Sequence, residues 1–316
     1  GPTGFTGPTG FTGATGPVLT ASVNRIYTTN FNDSTVSVID GDTNTVIATV
    51  PIGLGPGAIG VNPTTNRIYT ANGGDNTVSV IDGNTDTVID TVSVGTGPAG
   101  VGVDFLTNTI FVANNGDNTV SVINGNTDAV VATIPVGSGP QGTAANPITN
   151  RIYVANSAAA SVSVIDGNTN TVLTTVTVGT TPVGVGINTT LNLIYVSNLS
   201  DSTVSVISGL SSTVTGTVAV GSTPEGVGVN PSSNRIYVAN DAASNTVSVI
   251  DGNTNTVIAT IPVGSIPIGV AVNPLTNGIY VSNDGSNTVS VIDGNTNTVI
   301  ANIPVGSGPN SIAVNP

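Results

Sequence analysis

Seven near-copies of a 42-residue unit, each holding four short β-prone segments, predict an all-β fold. The expected architecture is a seven-bladed β-propeller of four-stranded antiparallel blades, its ring closed by the C-terminal inner strand joining the N-terminal blade. The period is read from Ile26-Tyr27, Ile68-Tyr69, Ile110-Phe111, Ile152-Tyr153, Ile194-Tyr195, Ile236-Tyr237 and Ile279-Tyr280, which recur every 42 residues with one step of 43. A second constant phrase, Ser-Val-Ile, follows each at 37, 79, 121, 163, 205, 248 and 290. The third observation is phase. From Ser22 to Pro316 is 295 residues, a whole number of repeats, so 311–314 should complete the blade whose other strands come from 25–52.

The innermost strand, a, is of the Gly-Val-Gly-Val type at 101–104 and 227–230. Strand b is Arg-Ile-Tyr-Val-Ala-Asn at 151–156, strand c Thr-Val-Ser-Val-Ile-Asp at 246–251, and strand d Thr-Val-Ile-Ala-Thr-Ile-Pro-Val at 256–263. Val, Ile, Thr and Tyr favour the pleated, half-buried surface of a sheet, and Asp-Gly, Asn-Pro and Gly-Pro supply the turns. No segment sustains a 3.6-residue apolar period, which excludes helical repeats. Pro51, Pro135, Pro262 and Pro304 lie on strand d, where an outer edge tolerates proline and is protected by it.

Composition removes whole chemistries. The chain has 316 residues, no Cys, His, Met or Trp, and its four basic residues are Arg25, Arg67, Arg151 and Arg235. Without His or Cys there is no Ser-His-Asp or Cys-His nucleophile and no Cys/His zinc or haem ligand set. Without Lys there is no Schiff base and no phosphate loop of the Walker type. A net charge of −13 argues against nucleic acid and anionic membranes as partners. No apolar run approaches the ~18 residues of a membrane span. The chain opens mid-pattern at Gly1 and reads as a fragment of a longer one.

Tyr153-Val154-Ala155-Asn156, Tyr195-Val196-Ser197-Asn198, Tyr237-Val238-Ala239-Asn240 and Tyr280-Val281-Ser282-Asn283, each followed by Val-Ser-Val-Ile, resemble the YVTN-type β-propeller repeat of bacterial and archaeal cell-surface proteins. The resemblance covers nearly the whole chain and is specific for fold, whereas the repeat itself is scaffold and assigns no role. Residues 1–17 carry Gly at 1, 4, 7, 10, 13 and 16. They resemble the Gly-X-Thr stalks of bacterial collagen-like proteins, notably spore exosporium filament proteins. The expected organisation is therefore a collagen-like stub at 1–17 and a propeller at 18–316. A flexible Gly/Pro/Thr linker is the alternative reading of the stub, and a true stalk implies a homotrimer.

Several motifs resolve into scaffold. Gly95-Thr96-Gly97-Pro98-Ala99-Gly100 and Gly137-Ser138-Gly139-Pro140-Gln141-Gly142 match a dinucleotide fingerprint, yet a strand rather than a helix follows and each contains proline. They read as crossover turns. Asp40-Gly41-Asp42-Thr43-Asn44 starts like a calcium loop, but Thr45 and Pro51 stand where Gly and Glu are needed; no cofactor is expected, and calcium is the one ion such Asp/Asn turns could recruit. Arg25, Arg67, Arg151 and Arg235 begin strands b whose partner strands c end in Asp40, Asp82, Asp166 and Asp251. Repeats lacking the Arg at 109 and 193 also lack the Asp, and only the last, with Gly278 and Asp293, breaks the rule, so cross-strand ion pairs are expected within blades. The one aromatic per repeat at the Tyr27 position reads as packing between blades.

Inner strands of Gly, Val, Ala and Ile leave little for catalysis, and Glu225, the only glutamate, has no second acid or base beside it in sequence. The leading expectation is thus a non-enzymatic head on a collagen-like stalk at a bacterial cell or spore surface, a structural coat, adhesin or ligand-binding module for a glycan or surface protein. A carboxylate-dependent hydrolase or lyase acting at one propeller face is the alternative. Loop variability points to the face bearing the b–c and d–a loops, near Gln141 and Glu225, as the contact surface.

Overall fold

The computed structural model describes residues 24–241 and 244–316; the collagen-like pattern of residues 1–17, and the domain boundary beside it, lie outside that range. The chain is a closed ring of seven four-stranded antiparallel sheets, with three short 3-10 turns as its only helical elements among the described residues. No helix is long and apolar enough to cross a membrane. Blade 1 takes strands b to d from Arg25–Asn30, Thr35–Asp40 and Thr45–Pro51, and its inner strand from Pro309–Asn315. Blades 2 to 7 begin with inner strands Pro56–Asn62, Pro98–Asp104, Pro140–Asn146, Pro182–Asn188, Pro224–Asn230 and Pro267–Asn273. Each inner strand starts at the junction proline, earlier than the Val-rich stretch alone suggests. The closing register is Arg25 opposite Asn315, Ile26 opposite Val314 and Tyr27 opposite Ala313.

The molecule has no single central core. It has seven, each built between two neighbouring blades. Tyr69, Val78, Val80 and Val92 of blade 2 pack on Ile110, Val112 and Ile123 of blade 3, and the same grouping recurs round the ring. The aromatic at this position is fully buried in Tyr27, Tyr69, Phe111, Tyr153, Tyr195 and Tyr237, so it serves interblade packing. Burying one such apolar side chain contributes about 1.5–3 kcal/mol.

A polar lock repeats with it. The buried asparagine ending strand b donates to hydroxyls of strand c: Asn72 Nδ2 reaches Thr77 Oγ1 at 3.1 Å and Ser79 Oγ at 2.9 Å, and Asn30, Asn114, Asn156, Asn198, Asn240 and Asn283 do likewise. Against each asparagine lies the glycine of the crossover entering that blade. A Cβ on Gly53 would come within 2.6 Å of Asn72, and one on Gly221 within 2.5 Å of Asn240, so only glycine allows this approach.

On the opposite face the blades are stitched by amides. The asparagine ending strand a donates to the a–b turn asparagine of the next blade, as in Asn62 to Asn108 at 2.7 Å, Asn188 to Asn234 at 2.8 Å and Asn315 to Asn66 at 2.7 Å. Six of seven joints are made this way. The seventh, from blade 3 to blade 4, has Asp104 in the donor's place. A carboxylate offers no N–H, and the buried Oδ2 of Asp104 and Oδ1 of Asn150 both lack partners.

The ion pairs expected within blades at Arg25–Asp40 and Arg67–Asp82 do not form, although these residues are directly opposite in register. Arg25 instead binds Asp86 at 3.1 Å and Arg67 binds Asp128 at 2.7 Å, each across to the c–d turn of the next blade. In the blade after Arg151, Ser212 stands where blades 2 and 3 have that acid, and Arg151 donates to the Gly209 carbonyl at 2.8 Å; no ion pair to Asp166 forms. Arg235 faces Asn297 in the next blade and pairs with its own Asp251 at 2.7 Å. The arginine therefore takes the neighbouring blade's acid where one exists.

Two outcomes follow. Asp104→Asn restores the missing amide joint and should raise stability by on the order of 1–3 kcal/mol, read as a higher urea midpoint at unchanged slope. An unchanged midpoint would show that the joint is already satisfied. Removing residues 309–316 opens the ring and bares the inner edge of the Arg25–Asn30 strand, and should lower Tm by more than about 10 °C in calorimetry. A loss of a degree or two would place the closure elsewhere.

Candidate functional site at the channel mouth

The d–a crossovers and b–c loops share one face, where the seven inner strands begin around a cavity of about 240 Å³. Each blade contributes the residue after its junction proline: Gly57, Ala99, Gln141, Val183, Glu225, Ile268 and Asn310. Gln141 and Glu225 are the only glutamine and the only glutamate in the chain. Both stand at this one position, as does Asn310. Glu225 in blade 6 lies two blades from Gln141 in blade 4 and two from Asn310 in blade 1. Three polar arms thus enter from separated directions between small and apolar side chains.

Close approach of the inner strands explains why the next residue is glycine in most blades. A Cβ on Gly226 would sit 2.4 Å from the Ile268 carbonyl oxygen, and one on Gly184 2.2 Å from that of Glu225. The backbone below the mouth is therefore rigidly packed and the side chain above it is free to differ. The crossover into blade 6 carries strain as well. Thr223, two residues before Glu225, takes φ 46°, as Thr181 takes φ 55° and Ile266 φ 54° in blades 5 and 7, where Gly55, Gly97, Gly139 and Gly308 serve the other four.

A second ring is formed by the first residue of each b–c loop: Phe31, Gly73, Asn115, Ser157, Leu199, Asp241 and Asp284. Asp241 and Asp284 put two further carboxylates on the side of Glu225. Burial, reinforced by the charge of Asp241, pushes the Glu225 carboxyl up to about 7. Asp284 is raised too, by burial first and by Asp241 second. Opposite, Asn115 Nδ2 donates to the Pro140 carbonyl at 3.2 Å and Ser157 Oγ to the Gly139 carbonyl at 2.9 Å, steadying the crossover that carries Gln141.

Gln141 and Glu225 are thus brought to one cavity, while Arg25, Arg67, Arg151 and Arg235 are spread round the other end of the blades. Asp40, Asp82, Asp166 and Asp251 bind their own turns: Asp40 Oδ1 accepts from the backbone N–H of Asp42 at 2.9 Å and Asp166 Oδ1 from that of Asn168 at 2.8 Å. Among the described residues no group of three or more acids is arranged to hold a metal. The sequence reading that left Glu225 without a neighbouring acid missed Asp241. Its signal was available, because a residue just after the strand-b asparagine borders the same face as the junction proline.

No protein-family model matches the chain, and no curated protein matches it in sequence. Solved structures share its fold. A functionally unknown protein from Desulfotomaculum acetoxidans DSM 771 is 15% identical with a TM-score of 0.81, over 92% of this chain and 98% of that one. Kuenenia stuttgartiensis hydrazine synthase is 20% identical with a TM-score of 0.74, over 82% and 89%. The dihydro-heme d1 dehydrogenase NirN, solved in complex with DHE, is 15% identical with a TM-score of 0.68, over 90% of this chain and 64% of that one.

The chain is a seven-bladed β-propeller. At these identities the likeness establishes the fold alone. Two of the three propellers are enzymes by description, which overturns the expectation of a non-enzymatic head. The same fold therefore occurs in proteins described as enzymes.

The raised carboxyl of Glu225 has a stability consequence. Its folded value of about 7 lies above the ordinary glutamate value, so the contribution is complete at low pH and is lost as pH rises through about 7. Glu225→Gln should match the wild type in Tm at pH 4 and exceed it at pH 8. Equal Tm at both pH values would mean the carboxylate is freely solvated.

Proposed function

We propose that the channel mouth is an acid–base catalytic site, a carboxylate-dependent hydrolase or lyase centre whose proton donor is Glu225. The observation that carries this is the chain's single glutamate, half-buried in the central cavity, its carboxyl pushed up to about 7 by burial and by the neighbouring Asp241 carboxylate. An acid with such a value can donate a proton to a leaving oxygen at physiological pH and recover it afterwards. In hydrolysis the scissile C–O bond breaks as Glu225 protonates the departing oxygen, and water adds to carbon as it gives its proton to a carboxylate. Asp241 is the candidate for that second role.

The substrate class follows from the lining. Three carboxylates on one side disfavour anions, and the Gln141 and Asn310 amides donate to and accept from hydroxyl groups equally well. A neutral polyhydroxylated molecule, a glycan or glycoside, fits best. We take the setting to be a bacterial cell or spore surface. The YVTN-like phrase in every blade and the collagen-like triplets of residues 1–17 support that reading, and such triplets imply trimerisation.

A panel of neutral aryl glycosides and oligosaccharides assayed between pH 5 and 8 tests the proposal. Turnover should decline above about pH 7 as Glu225 loses its proton, and Glu225→Gln should lower kcat by at least about 100-fold. Absence of turnover across the panel, or full activity in Glu225→Gln, overturns it.

A further inference from the structure

Strand b ends in Thr29-Asn30, Ala71-Asn72, Ala113-Asn114, Ala155-Asn156, Ser197-Asn198, Ala239-Asn240 and Ser282-Asn283. The residue before the asparagine is thus alanine in four blades and serine in two. The two serines are fully buried and make the same contact. Ser197 Oγ accepts from the Gly184 N–H at 2.8 Å and donates to the Glu225 carbonyl at 2.5 Å, joining the inner strand of blade 5 to that of blade 6. Ser282 Oγ accepts from the Gly269 N–H at 2.8 Å and donates to the Asn310 carbonyl at 2.7 Å, joining blade 7 to blade 1. Where strand b carries alanine, the mouth residue of the next blade is Ala99, Gln141, Val183 or Ile268. Thr29, in the remaining blade, contacts Ser311 of its own inner strand at 3.0 Å instead.

The hydroxyl bridge therefore lies beneath the one carboxylate and the one asparagine of the mouth ring. We infer that Ser197 is a positioning residue for Glu225: its hydroxyl fixes the Glu225 backbone against the neighbouring inner strand and thereby sets where the carboxyl stands in the cavity. Ser282 has the same relation to Asn310. Gly184 is part of the device, since a Cβ there would lie 2.8 Å from Ser197 Oγ. Without the bridge the Glu225 carbonyl loses its donor and the segment is free to shift, altering the distance of the carboxyl from Asp241 and its exposure to water. Asp241 and Asp284 are the titratable groups that face this side of the mouth.

The inference gives the proposed catalytic group its support, but its test does not depend on turnover. Because the chain has one glutamate, protein labelled with ¹³C at the glutamate side-chain carboxyl gives a single resonance, identified by its loss in Glu225→Gln. Ser197→Ala installs the residue that four other blades already carry, so the fold is retained. Its Glu225 titration midpoint should move by about half a pH unit or more. Ser197→Thr keeps a hydroxyl and should hold the midpoint at the wild-type value, and Ser282→Ala, two blades away, should leave it unchanged. A Ser197→Ala midpoint equal to the wild type, or equal displacement by Ser282→Ala, overturns the positioning role. A moved midpoint in a protein that turns over no glycoside would sustain it while overturning the catalytic reading.

Discussion

The contact between the strand-b asparagine and the crossover glycine organises the molecule. The asparagine is buried, and its amide N–H groups are used within its own blade to clamp strand b to strand c. Its flank receives the glycine of the chain arriving from the previous blade with no room for a Cβ. One residue pair therefore specifies both the hairpin inside a blade and the distance between blades. Every other repeated feature, from the interblade aromatic to the junction proline, is placed by that spacing.

The same constraint explains where chemistry can reside. Positions packed in the cores between blades are held to small residues, Val, Ile and the one aromatic per repeat, because a change there disturbs two sheets. The residue after the junction proline touches neither neighbour's core and projects into the cavity. In this chain it holds Gly57, Ala99, Gln141, Val183, Glu225, Ile268 and Asn310, seven different residues on seven superposable frames. A scaffold this uniform separates stability from function by position.

Legibility followed the same division. The period, the strand phrases and the phase of the two ends carried the fold completely, because each repeats a physical requirement seven times. The arginines were read less well. Their backbone register was recoverable from the hairpin, but their partners were not, since a long side chain reaches Asp86 or Asp128 across a blade boundary that spacing within one repeat does not reveal. The mouth was half legible. Gln141 and Glu225 stood out by position, whereas Asp241 and Ser197 acquire meaning only when loops and strands of different blades are brought together. The missing donor at Asp104 was invisible for a similar reason: Asp and Asn are interchangeable in a turn and opposite in a hydrogen bond.

Ring closure bears on persistence as well as on shape. All sheet pairings but one join segments of the same repeat, close along the chain and quick to form. The exception sets Arg25 against Asn315, almost the full length of the chain apart. Closing the ring joins these ends against the greatest loss of chain entropy of any pairing in the molecule. Once joined, no blade retains a free inner edge from which to peel. The lifetime of the folded ring is then governed by the rate at which a single seam opens, so a protein of modest equilibrium stability can still outlast heat or proteolysis for as long as that seam holds.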